Sequence, residues 1–229
     1  MKRIKRTFLY LLFAFAVFSM ATGCKKFLGL DRQTDWHFTP VTLDPHINMT
    51  AWDYLKKRAL GTDPNDTIFK RMYDGILYAG IDSSEYTKTN RTYVFLHNDA
   101  IYRLSSNKIT TDCYWGYYKT AAGKTGTSWS DYPVDSVRNW LLYLISEGNY
   151  TFETLSPVPK EVTTLLPKNA NPLNPESIMT YSIDNTANYK LMINDFAGSA
   201  RNNTVRTAGI IATNGPIHVV DRVVEYRNQ

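Results

Sequence analysis

A run of aromatic side chains between residues 113 and 132 contains the side chains best suited to binding a ligand. Its rings are interleaved with glycine and small hydroxyl residues such as Gly116, Gly126 and Ser128. Flat aromatic faces beside small hydrogen-bonding groups suit either a sugar ring or a protein partner. The alternative is a hairpin whose rings alternate between two faces, so that one set covers the edge of the core. The rings that we consider as ligand-binding residues are Tyr114, Trp115, Tyr117, Tyr118 and Trp129.

The sequence patterns of common catalytic and metal sites are missing. The four histidines, at positions 37, 46, 97 and 218, lack the spacing of three or four residues that a helical metal site needs. A phosphate-binding loop around Lys124 would need a glycine where Tyr118 stands, and no Gly-x-Ser-x-Gly nucleophile turn occurs. We therefore expect no catalytic residue, no metal ligand and no cofactor, and a protein that is not an enzyme.

The N-terminus has the pattern of an export signal. Four basic residues precede an apolar run over residues 8–18, which is too short to span a bilayer comfortably. The following Ala21-Thr22-Gly23-Cys24 resembles a bacterial lipobox. By that resemblance, residues 1–23 are a lipoprotein signal peptide and Cys24 carries the lipid that makes the membrane a partner. The alternative is an ordinary secretory signal followed by a chance cysteine.

Loss of this segment would change the charge and cysteine balance. Four of the 26 basic residues lie in it, so 22 remain against 21 acidic residues. A nearly neutral mature chain gives no reason to expect a nucleic-acid partner. If Cys24 is acylated, Cys113 has no partner for a disulfide within the chain.

The remaining chain predicts a tether followed by one mixed domain. Residues 24–47 lack periodicity and are expected to form the tether, and residues 48–229 the domain. We expect Asn48 or Thr50 to cap the first helix, and Asn98 or Asp99 to cap a helical turn. Apolar spacing predicts helices over 50–61, 68–80 and 134–148, and strands over 93–96, 178–184 and 189–194.

The C-terminal residues predict a β-hairpin. Two apolar runs flank Asn214-Gly215, the dipeptide that best tolerates the positive φ of a type I′ turn. After the turn, Ile217 and Val219 should point to one face and His218 and Val220 to the other.

Four segments of the chain resemble the fasciclin domain. The closing motif of that family is similar to Ala212-Thr-Asn-Gly-Pro-Ile-His-Val-Val-Asp-Arg-Val-Val224. Its Tyr-His helix resembles Leu141-Leu-Tyr-Leu-Ile-Ser-Glu-Gly148, in which Tyr143 fills the tyrosine place and Leu144 replaces the histidine. Its first motif resembles Thr92-Tyr-Val-Phe-Leu-His-Asn-Asp-Ala-Ile101, and its opening helices resemble the chain up to Leu77-Tyr-Ala-Gly-Ile81.

The resemblance implies an α+β fold, namely a fasciclin-type β-sandwich wedge with packed helices in a single domain. It implies that Tyr143, Asn214, Gly215 and His218 support the fold. It further implies a non-catalytic, lipid-anchored adhesion or binding module on the outer membrane of a member of the Bacteroidetes, with a surface protein or glycan as ligand. The alternative function is an accessory glycan-binding lipoprotein of an outer-membrane polysaccharide-uptake system.

Overall fold

The computed structural model describes residues 26–27, 30–31, 44–63, 66–186, 189–197, 199 and 203–227. The chain divides into two compact units, Met1–Leu43 and Asp44–Gln229. In the first unit, strands β1 (Lys26–Phe27) and β2 (Leu30–Asp31) pair antiparallel. The predicted signal peptide and Cys24 lie outside the described residues. Across the described ranges, no helix has both the length and the apolar character needed to cross a bilayer.

The helices of the second unit begin and end where local residue chemistry allows it. Thr50 caps the first helix, because its hydroxyl accepts a hydrogen bond from the Asp53 N–H at 3.1 Å. Gly80 ends the second helix with φ of 62°, a left-handed conformation that glycine adopts easily. The described α-helices are α1 (Ala51–Ala59), α2 (Lys70–Ala79), α3 (Asn98–Ile101), α4 (Tyr114–Tyr117) and α5 (Val134–Tyr143).

The described strands of the second unit form two four-stranded sheets and one short hairpin. The first sheet has the order β11 (Thr207–Ala212), β12 (Gly215–Val220), β3 (Arg91–Leu96), β6 (Ile145–Glu147). In it β12 and β3 run parallel, and the other neighbours are antiparallel. The second sheet is antiparallel, with the order β10 (Asn203–Thr204), β9 (Leu191–Ile193), β8 (Ile178–Ile183), β7 (Lys160–Thr163). The hairpin joins β4 (Leu104–Ser105) and β5 (Lys108–Ile109). This mixture of helices and sheets confirms the predicted α+β class.

The two sheets are joined by backbone and side-chain hydrogen bonds. The Leu165 N–H donates to the Ile145 carbonyl at 2.8 Å, and the Arg206 N–H donates to the Val219 carbonyl at 2.7 Å. The Tyr181 hydroxyl lies 3.0 Å from the Ser146 hydroxyl. Strands β3 and β12 are buried over nearly their whole length, which explains why both contain almost continuous apolar runs.

Helix α5 is shorter than the sequence predicts. The apolar spacing predicts a helix over 134–148, but α5 ends at Tyr143 and Ile145–Glu147 forms strand β6. The Val94 N–H of β3 donates to the Leu144 carbonyl at 2.8 Å, and Tyr93 pairs with Ile145. A continued helix would leave this edge of β3 without partners, so sheet pairing overrides the helical spacing.

Two further boundaries differ from the sequence-based expectation. The predicted capping residues Asn98 and Asp99 lie inside α3, and His97 caps it by accepting from the Asp99 N–H at 3.2 Å. The second compact unit begins at Asp44, four residues before the predicted domain start. Its Ile47 N–H donates to the Ile211 carbonyl at 3.0 Å, so residues 44–47 pair with β11.

Candidate binding pocket

The five rings predicted as ligand-binding residues do not form one exposed platform. Tyr114, Trp115 and Trp129 expose 2%, 7% and 7% of their surface, and Tyr117 and Tyr118 are partly buried. The alternative hairpin is wrong as well, because four of these residues are in or directly after helix α4. Ring burial therefore follows from helix packing.

Helix α4 is held by a close backbone approach at Gly116 and by two buried tryptophan rings. A Cβ on Gly116 would lie 1.8 Å from the Thr110 carbonyl oxygen, so only glycine lets α4 pack so closely there. The Trp129 indole N–H donates to the Arg71 carbonyl of α2 at 2.9 Å. Trp115 packs against Trp129 with ring centroids 6.0 Å apart. The two tryptophans therefore join α4 to α2.

Two of the other three predicted rings line a pocket. Tyr114 and Tyr118 line a cavity of about 220 Å³ together with Trp140 of α5 and Tyr226 near the C-terminus. The Tyr114 ring centroid lies 4.4 Å from that of Trp140 and 4.7 Å from that of Tyr118. The other residues that line the cavity are Ser136, Asn139, Ala170 and Asn171.

Each wall of the pocket is held by contacts outside it. The Trp140 indole N–H donates to the Val224 carbonyl at 2.8 Å, which fixes the ring and the C-terminal segment together. In the proline-rich loop, which spans residues 156–176, the Asn169 N–H donates to the Pro175 carbonyl at 2.9 Å. The Asn171 side-chain oxygen accepts from the Leu173 N–H at 2.8 Å, and the Asn171 side chain also forms a hydrogen bond with Tyr226. The walls are therefore preorganised.

The pocket is electrically neutral. None of the described side chains that line it carries a charge. Burial raises the pKa of Tyr114, Tyr118 and Tyr226 above the ordinary value for tyrosine, so their hydroxyls stay protonated near neutral pH. The walls thus combine apolar ring faces with neutral hydrogen-bonding groups.

A larger cavity elsewhere has a different character. It measures about 530 Å³ and is lined by Lys190, Thr204, Val205, Arg206, Asp221 and Arg222. Its arginines already have acidic partners, because Arg206 lies 3.7 Å from Asp221 and Arg222 lies 2.5 Å from Asp112. We therefore take the aromatic pocket as the candidate site.

Sequence reasoning found only part of this pocket. It pointed to Tyr114 and Tyr118 but missed the residues that α5 and the two later segments supply. The sequence does contain a pattern that points to the α5 residues, since positions 136, 139, 140 and 143 fall on one helical face. No local signal connects residues 170–171 or Tyr226 to that face, because only tertiary packing brings them there.

The Asn214 side chain is a buried junction between distant segments. Its oxygen accepts from the Ala51 N–H at 2.8 Å, at the start of α1. Its NH₂ nitrogen lies 2.7 Å from the Tyr93 hydroxyl, 3.0 Å from the Tyr86 carbonyl and 3.1 Å from the Lys88 carbonyl. The structural role implied for Asn214 thus has a physical basis in these contacts.

The turn of the closing hairpin is one residue earlier than predicted. Thr213 and Asn214 form it, Ala212 pairs with Gly215, and neither turn residue has a positive φ. A type I′ turn is therefore wrong here, because the Asn214 side chain is held by tertiary partners. Gly215 is needed for another reason, since a Cβ would lie 1.9 Å from the Arg91 carbonyl oxygen.

His218 is a neutral, buried part of β12. Its Nε2 lies 2.8 Å from the Tyr150 carbonyl, which can only accept, so Nε2 carries the proton. Its Nδ1 lies 3.5 Å from the Gly209 N–H at the bulge in β11. Burial lowers its pKa to about 4. These contacts fit a structural role.

Tyr143 and Leu144 are both fully buried, so neither offers a surface to a partner. The Tyr143 hydroxyl accepts from the Arg227 N–H at 3.1 Å and donates to the Ile178 carbonyl at 3.2 Å. It also accepts from the Asn194 NH₂ group at 3.1 Å. Tyr143 therefore ties the C-terminal segment to the second sheet.

Comparisons with known proteins give a distant structural likeness. No family model matches the chain, and no curated protein matches it. Among solved structures, a FAS1 domain pair from the insect cell adhesion molecule fasciclin I is similar, with 14% sequence identity and a TM-score of 0.47. That match covers 78% of this chain and 51% of the insect chain, so this chain spans about half of its length. The likeness says nothing about ligand or partner.

Proposed function

We propose that this protein is a non-catalytic binding or adhesion module of fasciclin type, held on the bacterial outer membrane by a lipid on Cys24. The observation that carries the binding proposal is the neutral aromatic pocket in the Asp44–Gln229 unit. The Ala21-Thr22-Gly23-Cys24 sequence supports the lipid anchor. The four fasciclin-like segments support the family and the wedge-shaped single domain.

The chemistry of the pocket favours binding over catalysis. General acid–base catalysis near neutral pH needs a group whose pKa lies near the operating pH. The tyrosines of the pocket have raised pKa values, and Ser136 is exposed on α5 with no histidine among the described residues that line the same cavity. Such walls hold a neutral ligand without providing a base.

An accessory glycan-binding lipoprotein of a polysaccharide-uptake system is the second proposal. The pocket favours it, because aromatic faces beside side-chain amides and hydroxyls complement the two kinds of surface on a sugar ring. A bacterium of the Bacteroidetes remains our proposal for the source. Adhesion through Tyr143 and Leu144 receives no support, since both side chains are buried.

The lipid anchor is tested by labelling cells that express the full chain with a radioactive fatty acid. We expect the wild-type protein to be labelled and to sediment with the outer membrane, and Cys24→Ser to lose both properties. Cys113→Ser is the matched control, because the Cys113 thiol is buried and is the second cysteine of the sequence. Equal labelling of Cys24→Ser and wild type would contradict the anchor.

Binding through the pocket is tested separately with Ala170→Trp. Ala170 is exposed and lines the pocket, so a tryptophan there should fill its mouth without disturbing the core. We expect the variant to lose retention on isolated envelope glycans or surface proteins that the wild-type chain binds. Unchanged retention of a folded Ala170→Trp protein would refute the pocket as the binding site.

A further inference from the structure

The aromatic pocket includes a tyrosine whose side chain is almost fully buried. Tyr114 exposes 2% of its surface and lines the cavity. Burial raises the pKa of its hydroxyl, so the hydroxyl stays protonated near neutral pH. A neutral hydroxyl in the cavity lining can both donate a hydrogen bond to an occupant and accept one from it.

The size of the pocket restricts that occupant. About 220 Å³ holds roughly seven water molecules at ~30 Å³ each. Pockets for drug-sized ligands span about 300–1,000 Å³. The pocket therefore accommodates one ring-sized group rather than an extended chain, and longer ligands must continue into solvent.

The residues that line the pocket restrict the chemistry of its occupant. Four rings present flat apolar faces, and Ser136, Asn139 and Asn171 add neutral donors and acceptors. Asn139 and Ser136 lie one helical turn apart on α5, so both groups face the same occupant. Since none of the described lining residues is charged, an acidic sugar would lose its hydration without gaining a counter-ion.

We propose that this pocket binds a single neutral sugar ring at the end of a glycan. The C–H face of the sugar packs on the tyrosine rings, and its hydroxyls pair with Tyr114, Asn139 and Asn171. This inference rests on the proposed binding function and specifies its ligand class. It locates the ligand among α4, α5 and the proline-rich loop, where it contacts Tyr114 and Tyr118 of the five predicted rings.

The test uses the full-length protein in detergent on an array of neutral and acid-terminated glycans. We expect retention on neutral glycans that share one terminal sugar, and competition by that free monosaccharide. Ala170→Trp should weaken the interaction at least tenfold by blocking the cavity. Tyr114→Phe should weaken it about tenfold, since it removes one hydrogen bond and keeps the ring.

Asn185→Ala is the control, because Asn185 is exposed between β8 and β9. Circular dichroism checks that each variant is folded, and Asn139→Ala replaces Ala170→Trp if that protein does not fold. The sugar proposal is overturned by a preference for acidic glycans, by absence of glycan retention, or by equal binding of the folded pocket variants.

The outcomes separate this proposal from the broader one. A surface protein that binds wild type but not Ala170→Trp, together with an empty glycan array, overturns the sugar ligand and keeps the binding module. Loss of fatty-acid labelling concerns only the anchor. If the wild-type protein binds neither a glycan nor a surface protein, the binding function itself is overturned.

Discussion

The side-chain oxygen of Asn214 accepts a hydrogen bond from the Ala51 backbone N–H at 2.8 Å, although 163 positions separate them in the chain. One amide in the closing hairpin thereby satisfies a free N–H at the start of α1. The same side chain contacts Tyr93 of β3, so it joins the first helix, the central strand and the last hairpin.

Asn214→Ala should therefore lower the free energy of unfolding by about 3 kcal/mol, because several buried groups lose their partner. Urea unfolding followed by circular dichroism measures the change. Asn214→Asp should also destabilise, since a carboxylate keeps the acceptor for Ala51 but faces the Tyr86 and Lys88 carbonyls without a donor. Asn185→Ala serves as the exposed control. If Asn214→Ala and Asn185→Ala had the same urea unfolding midpoint, the stabilising role of the Asn214 hydrogen bonds would be contradicted.

Gly215→Ala should be more damaging than an ordinary glycine substitution. The new Cβ would lie 1.9 Å from the Arg91 carbonyl oxygen, so β12 and β3 would have to separate. We expect a loss above about 3 kcal/mol or failure to fold. Gly123→Ala is the matched control, because Gly123 has φ of 73° and no atom within 4 Å of the added Cβ. It should cost only about 1 kcal/mol; similar losses in both variants would exclude the close approach as the cause.

His218 should make stability depend on pH between about 6.5 and 4. Burial lowers the folded pKa to about 4, whereas an unfolded histidine titrates near 6.5. The unfolded state therefore binds more protons in this window, and stability decreases as the pH falls, by about 3 kcal/mol in total. Urea midpoints measured across this range should decline less steeply in His218→Gln than in wild type.

His97 is the internal comparison for that experiment, because burial also lowers its pKa. Both proteins retain this histidine, so the difference between their pH profiles isolates His218. A nuclear magnetic resonance titration of the His218 ring gives a direct check. A measured pKa near 6.5 would remove the basis for the prediction.

Tyr143→Phe should loosen the C-terminal segment. The variant keeps the buried ring but leaves the Arg227 N–H and the Asn194 NH₂ group without their shared acceptor. We expect a loss of about 1–3 kcal/mol and faster proteolysis after residue 221. Binding of a protein partner should not change, since the Tyr143 side chain is buried. An intact, protease-resistant C-terminus in the variant would argue against this anchoring contact.

Much of the fold could be anticipated from local patterns. Thr50 and Gly80 mark helix ends through capping chemistry that operates within a few residues. The pattern failed where a distant strand competed for the backbone, as at Ile145, which pairs with Tyr93 instead of extending α5. It also failed at the hairpin turn, because Asn214 is fixed by partners that no neighbouring residue reveals.

For the candidate site, the sequence identified the aromatic segment and therefore Tyr114 and Tyr118. It could not tell which rings would be buried, because that depends on the helix formed by residues 114–117 and on its packing against α2. Trp140 was recognisable as part of an apolar helical face, but its place in a pocket was not.

The sequence by itself determined the α+β class, the helix ends at Thr50 and Gly80 and the presence of the closing hairpin, since periodicity and capping act over short distances. Its N-terminal pattern also supports the proposed lipid on Cys24. Only the tertiary structure decided that Asn214 joins segments far apart in the chain and that residues 114–118, α5, the proline-rich loop and Tyr226 enclose one cavity. The reason is physical: burial and cavity shape depend on which surfaces meet, and contacts between distant segments leave no local spacing to read.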